Sequence, residues 1–126
     1  MIRPKLTVAL TMVLLLAGAG VAFADDKESG EKVFKRQCST CHTVEAGKNK
    51  VGPSLKGVIG RKAASIAGFK YSQPMKDSNI VWSDDKLDAY LADPKAVVPK
   101  GSMVFVGLKK EQERKDLIAY LKHEAK

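Results

Sequence analysis

The chain is poor in the residues that build metal sites and disulfides. Its 126 residues include only two cysteines and two histidines. A structural zinc site takes four Cys or His ligands, and the fourth candidate, His123, stands in a Lys/Glu-rich tail next to the end of the chain. The sequence also lacks a second C-x-x-C pair, an internal repeat and a convincing strand pattern. These absences argue against a zinc module, a repeat architecture and a sheet.

Both cysteines lie in one short motif, Cys38-Ser39-Thr40-Cys41-His42. The C-x-x-C-H spacing is typical of covalent haem attachment, in which two thiols add to the porphyrin vinyl groups and the histidine binds the iron. A thioredoxin-like redox pair should follow an apolar strand, but the flanks of Cys38 are charged and helix-prone. A disulfide is the other alternative, and it gives His42 no role. We therefore predict one haem c, bound through Cys38 and Cys41.

The first 24 residues have the pattern of an export signal. Arg3 and Lys5 precede an uncharged stretch that ends in Ala22-Phe23-Ala24, a small-x-small cleavage pattern. We predict a cleaved signal peptide at residues 1–24 and one domain at residues 25–126. Because haem attachment needs reduced thiols outside the cytoplasmic membrane, the predicted compartment is a bacterial periplasm. The alternative is a retained anchor, since the 19 uncharged residues from 6 to 24 can just span a bilayer.

Basic residues outnumber acidic ones, 22 to 14, which gives a formal net charge of +8. Loss of residues 1–24 removes Arg3 and Lys5 and leaves a net charge of +6. Since no nucleic-acid-binding motif or unbroken basic run is present, we predict no nucleic-acid partner. The excess favours electrostatic steering toward an acidic protein surface. A solvated basic surface without a dedicated partner is the alternative.

Three segments have a helical pattern: residues 25–37, a segment from about 84 to 92, and residues 111–126. Asp26 or Ser29 is the predicted N-cap of the first and Ser83 begins the cap of the second. Glycine in a helix costs about 1 kcal/mol relative to alanine, so Gly30 predicts a close crossing by another helix. The apolar faces expected in the core are Gly30, Val33 and Phe34; Leu87, Tyr90 and Leu91; and Leu117, Ile118 and Leu121, with Tyr120 at the edge.

The segments between these helices are predicted to be irregular. Glycine and proline punctuate residues 43–60, which indicates loops and turns. Residues 61–72 are expected to form a loop with short helical pieces, and residues 95–103 an extended loop.

Several side chains outside the motif are candidates for holding the cofactor. Pro53 has a carbonyl to orient His42, and Arg61, Tyr71 and Trp82 are donors for a buried propionate. For Trp82 a purely core role is an equal alternative. Met103 is the candidate second iron ligand, and core filling is its alternative. Met75 is a rival ligand in a segment expected to be exposed, and His123 is expected at the surface.

The ordered set of motifs resembles the class I cytochromes c, which include mitochondrial cytochrome c and small periplasmic bacterial relatives such as cytochrome c2. The resemblance extends over residues 25–126. It is carried by Gly30 with Phe34, Cys38 to His42, Gly52-Pro53-Ser54-Leu55, Gly60-Arg61, residues 68–72, Trp82, Pro99 with Met103, and residues 116–122.

This resemblance implies an all-α cytochrome c fold, with three main helices, short helices and loops wrapped around one covalently bound haem. His42 and Met103 would be the axial ligands, and Tyr90 would lie near the Met103 sulfur. Phe105 would stand at the haem edge. The Pro53 carbonyl would orient His42, while Arg61, Tyr71 and Trp82 would hold a propionate.

The sequence departs from the family pattern at three places. Lys100-Gly101-Ser102 stands where many relatives have Gly-Thr-Lys, Met75 where an asparagine is common, and Gln37 where a docking lysine is common. The first two departures concern the polar network around the haem. Other lysines are expected to form a basic ring near its edge: Lys32, Lys48, Lys50, Lys95, Lys100, Lys109 and Lys110.

The implied function is that of a soluble, monomeric one-electron carrier rather than an enzyme. Its expected donor is a quinol–cytochrome c reductase, and its expected acceptor an oxidase, a photosynthetic reaction centre or another reductase. A ligand-binding or peroxidase-like haem protein with an open sixth position is one alternative. A membrane-anchored subunit that retains residues 1–24 is the other.

Overall fold

The computed structural model describes Gly18 and residues 25–124, and it is helical. Its helices are α1 (Lys27–Gln37), α2 (Gln73–Asp77), α3 (Asp84–Ala92), α4 (Pro94–Val97) and α5 (Glu111–Glu124). Over these residues β-structure is confined to one isolated antiparallel bridge, Lys62 with Val81. The all-α prediction, with three main helices and short ones between them, is confirmed. Apart from Gly18, the predicted signal peptide lies outside the described residues.

Side-chain caps set the starts of α1 and α3, the two helices for which the sequence predicts them. The Asp26 carboxylate accepts the Glu28 N–H at 2.9 Å and the Ser83 hydroxyl accepts the Lys86 N–H at 3.3 Å. Asp93 ends α3 and also caps α4, where its carboxylate accepts the Ala96 N–H. None of the described helices is long and apolar enough to cross a bilayer.

Helices α1 and α5 cross at Gly30, and this crossing forms the centre of the core. A Cβ atom at Gly30 would lie 1.9 Å from the backbone oxygen of Asp116, so only glycine fits there. The rings of Phe34 and Tyr120 pack beside the crossing with centroids 5.5 Å apart. The predicted close crossing at Gly30 is confirmed, and the three predicted apolar faces are buried.

Two predictions for the connecting segments are wrong. Residues 61–72 contain turns and bends rather than helical pieces, and a short helix instead follows them, where the Ser72 hydroxyl caps Gln73–Asp77. The segment expected to be extended from residue 95 begins as α4, because Asp93 supplies a cap and Pro94 suits the first turn of a helix. From Val98 to Lys110 the chain is non-helical.

Candidate functional site

One cavity of about 360 Å³ collects the residues predicted for the site. Its volume lies within the range of small-molecule sites, roughly 300–1,000 Å³. Apolar side chains of α3 and α5, such as Leu87, Leu91, Leu117 and Leu121, form much of its lining. Every residue predicted to bind the cofactor lines it: Cys38, Cys41, His42, Pro53, Arg61, Tyr71, Trp82, Tyr90 and Met103.

The imidazole of His42 is fixed through one of its two nitrogens. Its Nδ1 lies 2.8 Å from the Pro53 carbonyl oxygen, which can only accept, so Nδ1 carries the proton. Nε2 is then left with its lone pair. Burial lowers the pKa of His42 more than the Pro53 hydrogen bond raises it, which favours the neutral ring. A neutral imidazole oriented through Nδ1 is the state in which histidine binds a metal.

The backbone at Gly52 fits closely against the same ring. A Cβ atom at Gly52 would lie 2.2 Å from Cε1 of His42 and 2.7 Å from both ring nitrogens. In the sequence Gly52 stands out only as part of a loop motif, which does not predict its contact with His42. A glycine immediately before the orienting Pro53 is the signal that could have indicated it.

Met103 contributes a thioether to the cavity from an extended segment. Tyr90 donates its hydroxyl to Sδ of Met103 at 3.8 Å, within reach of a weak bond to sulfur. Burial raises the pKa of Tyr90 to about 12, so the hydroxyl keeps its proton at neutral pH. The predicted proximity of Tyr90 to the Met103 sulfur is present in the structure.

Met75 also lines the cavity and packs against the core, so the exposed setting predicted for it is wrong. Helix α2, which the sequence pattern does not predict, carries the side chain inward. Within the described residues the Met75 sulfur has no polar partner, whereas the Met103 sulfur has one. The two methionines therefore differ in their surroundings rather than in access to the cavity.

The two cysteines of the motif stand at the end of α1 and just beyond it. No disulfide joins them, and both are half-buried. Burial, and to a smaller degree the neighbouring Cys41, raises the pKa of Cys38 to about 11. The Cys38 thiol is therefore protonated at neutral pH, and it lines the cavity together with Cys41 and His42.

Donors suited to a carboxylate line the cavity at Arg61, Tyr71 and Trp82. The Arg61 guanidinium donates to the carbonyls of Lys56 and Ser54 at 2.9 and 3.0 Å, and it has no acidic partner among the described residues. Tyr71 accepts the Ile66 N–H at 3.2 Å, which leaves its own O–H free to donate. The Trp82 indole N–H has no protein acceptor in the described part of the chain, although the residue is 6% exposed.

These features fit a haem. A half-buried cation without a counter-charge and an unpaired indole donor suit the propionates of an otherwise apolar ring. Two thiols next to a neutral imidazole suit covalent attachment of a haem whose iron takes one nitrogen ligand. A thioether in the same cavity suits a second ligand to that iron.

Comparison with known proteins agrees with this fit. The family profile described as cytochrome c matches residues 27–124. A cytochrome c2 of Blastochloris viridis is 47% identical over 112 residues, covering 88% of this chain and 87% of that protein. A cytochrome c2 iso-2 of Magnetospirillum fulvum is 56% identical over 85 residues, covering 68% of this chain and 88% of that protein. The cytochrome c type-1 of Ascaris suum is 48% identical over 101 residues, covering 80% of this chain and 90% of that protein.

Proposed function

This chain belongs to the cytochrome c family, and from that membership we propose that it is a periplasmic one-electron carrier with His42 and Met103 as axial ligands. Members of the family carry covalently bound haem c and transfer electrons, so the chain is an electron-transfer protein rather than an enzyme. The finer proposal rests on two possible iron ligands, each held by a hydrogen bond, that line the same cavity. His42 is held by the Pro53 carbonyl, and the Met103 sulfur receives the Tyr90 hydroxyl.

The haem, when bound, supplies an iron that gains and loses one electron. The chain's contribution is to hold its own ligands still while this happens. Pro53 keeps the proton on Nδ1 of His42, so Nε2 remains available to the metal. Met103 offers a soft thioether, which favours the ferrous state and raises the potential. If His42 and Met103 both held the iron, no position on it would be left for oxygen or a substrate.

The surroundings of the cavity act on the potential in the same direction. Apolar side chains disfavour the extra positive charge of the oxidised state. The Arg61 cation, which lacks an acidic partner among the described residues, also disfavours that state unless a propionate neutralises it. We therefore expect a positive midpoint potential.

Docking is proposed to rely on the positive charge of the protein. The lysines expected to form the basic ring are all exposed. Some of these ammonium groups also donate hydrogen bonds to backbone carbonyl oxygens: Lys50 to Ser39, Lys95 to Gly101 and Lys109 to Ala92. The proposed donor is a membrane quinol–cytochrome c reductase, and the proposed acceptor an oxidase, a photosynthetic reaction centre or another reductase.

Electron transfer with such membranes tests the proposal. The purified haem-loaded protein should be reduced by membranes that contain the reductase and reoxidised by membranes that contain the acceptor. Because screening weakens charge steering, the second-order rate should fall about tenfold between low and physiological salt. Absence of reduction would contradict the carrier role, and a salt-independent rate would contradict the steering.

The export proposal has its own test. If residues 1–24 are removed in the periplasm, the intact mass of the purified protein should correspond to residues 25–126 plus one haem. The same protein should appear in the periplasmic extract. A mass that includes residues 1–24, together with recovery in the membrane fraction, would support the anchored alternative.

A further inference from the structure

The segment that carries Met103 is attached to the rest of the protein mainly at its two ends. Among the described residues, none from 102 to 107 makes a backbone–backbone hydrogen bond. Val104 is 100% exposed and Val106 is 86% exposed, while Met103 and Phe105, which alternate with them, are half-buried and pack against the core. The position of the Met103 sulfur therefore depends on the Tyr90 contact and on the anchors at either end.

The upstream anchor is a short turn. The Gly101 N–H donates to the Val98 carbonyl at 3.1 Å, and the Lys95 ammonium donates to the Gly101 carbonyl. Lys95 is exposed, so this part of the anchor is open to competition by water.

The downstream anchor is buried and joins the end of α3. The Leu108 N–H donates to the Leu91 carbonyl at 2.7 Å, and Leu108 is 5% exposed. Just before it, a Cβ atom at Gly107 would lie 2.2 Å from the Ala92 carbonyl oxygen, so the two backbones are in close contact.

Arg114 on α5 holds this downstream anchor from the other side. Its Nη1 donates to the Leu108 carbonyl at 2.9 Å and to the Lys109 carbonyl at 3.0 Å. Its Nε donates to Oδ1 of Asp88 on α3 at 2.8 Å. The Arg114 side chain is only 12% exposed, and its bonds to Asp88 and to the Leu108 carbonyl are partly buried, whereas its bond to the Lys109 carbonyl is exposed. One guanidinium thus links α5, the end of the Met103 segment and the helix that carries Tyr90.

We propose that Arg114, through the Leu108 and Lys109 carbonyls and with Asp88 as its orienting partner, is a positioning residue that keeps Met103 at the cavity. The inference rests on the proposed ligation by Met103. Losing the guanidinium would leave two carbonyls without these donors and loosen the downstream anchor. The Met103 segment would then leave the cavity more often, although Arg114 itself does not line it.

Imidazole binding to the ferric haem-loaded protein measures how often the segment leaves, because an external ligand must displace Met103. The Arg114→Gln variant should bind imidazole about tenfold more tightly than the wild type, the size expected for lost hydrogen bonds to a charged group. Asp88→Asn should give a smaller increase in the same direction. Arg114→Lys should bind imidazole less tightly than Arg114→Gln does, since an ammonium can still reach one of the two carbonyls.

A matched control separates this role from general stability. Arg36 pairs with Glu113 at 2.9 Å between α1 and α5 and is 53% exposed, and it has no bond to the Met103 segment. Arg36→Gln should change imidazole affinity less than twofold. If Arg114→Gln lowers the melting temperature but leaves imidazole affinity within twofold of wild type, the positioning role is wrong. Should that variant not fold, the same criterion applies to Asp88→Asn.

A variant of Met103 itself distinguishes failure of this inference from failure of the proposed function. Met103→Leu should bind imidazole far more tightly than any Arg114 variant. If it does and Arg114→Gln does not differ from wild type, only the positioning role is refuted. If Met103→Leu itself binds imidazole as the wild type does, Met103 does not cover the iron and the proposed ligation fails as well.

Discussion

Gly52 lies so close to His42 that a Cβ atom there would stand 2.2 Å from Cε1 of the imidazole. The hydrogen bond from Nδ1 to the Pro53 carbonyl, 2.8 Å long, fixes the same ring from the adjacent residue. Two consecutive residues therefore determine the orientation of the proposed proximal ligand, one by its lack of a side chain and the other by its carbonyl.

The Gly52→Ala variant should displace the His42 ring. Overpacking at such a contact costs about 1–3 kcal/mol and tilts the ring away from its carbonyl. We expect a lower yield of haem-loaded protein and a changed ferric absorption spectrum. Lys48, whose side chain is 58% exposed and which does not line the cavity, provides the control, since Lys48→Ala should leave both unchanged. A wild-type yield and spectrum for Gly52→Ala would contradict the close packing.

Gly30→Ala should destabilise the fold even though alanine favours helices by about 1 kcal/mol over glycine. The added methyl group would lie 1.9 Å from the Asp116 backbone oxygen, so α1 and α5 would have to separate. We expect the free energy of unfolding to fall by roughly 3 kcal/mol in denaturant titrations. Glu28→Ala, an exposed change on the same helix, should lie within about 1 kcal/mol of wild type. Equal stabilities of the two variants would refute the crossing.

Tyr90→Phe should alter the stability of the protein at alkaline pH. Burial raises the pKa of Tyr90 to about 12, so the folded state holds this proton more tightly than the unfolded state does. The resulting stabilisation is complete below pH 10 and is lost as pH rises to about 12. The free-energy difference between wild type and Tyr90→Phe should therefore change by about 2 kcal/mol over this interval. A pH-independent difference would show that Tyr90 titrates normally.

Arg61→Gln should lower the midpoint potential. The wild-type cation lies at the cavity without an acidic partner among the described residues, and its removal makes the oxidised state easier to form. Because a propionate would offset part of this charge, we expect a decrease of tens of millivolts in a redox titration. Lys62→Gln removes an exposed cation outside the cavity lining and should change the potential much less. An unchanged or raised potential in Arg61→Gln would contradict the proposed role.

The sequence was sufficient to predict the features that depend on local patterns. Helix caps at Asp26 and Ser83 depend on short-range hydrogen bonds, and the crossing at Gly30 follows from the cost of glycine within a helix. The cysteine motif and the family resemblance predicted the cofactor-binding candidates that the cavity brings together. Each of these signals is contained in a few neighbouring residues or in a known ordered set.

Contacts that depend on how a loop leads into a helix could not be predicted in the same way. Met75 was expected to lie in an exposed segment, but the Ser72 cap starts α2, and Met75 on that helix lines the cavity. The bonds from Arg114 to the Leu108 and Lys109 carbonyls depend on the angle at which α5 begins. No local residue pattern predicts that angle.

Paired replacement of the two cavity methionines is the most direct test of the central claim that Met103 is an axial ligand of the haem iron. The ferric wild-type protein should show the weak absorption band of an iron–thioether bond. Met75→Leu should keep that band and the wild-type potential. Met103→Leu should lose the band and lower the midpoint potential by on the order of 100 mV. If Met103→Leu kept the band and the potential while Met75→Leu lost them, the sulfur ligand would be Met75 and the claim for Met103 would be wrong.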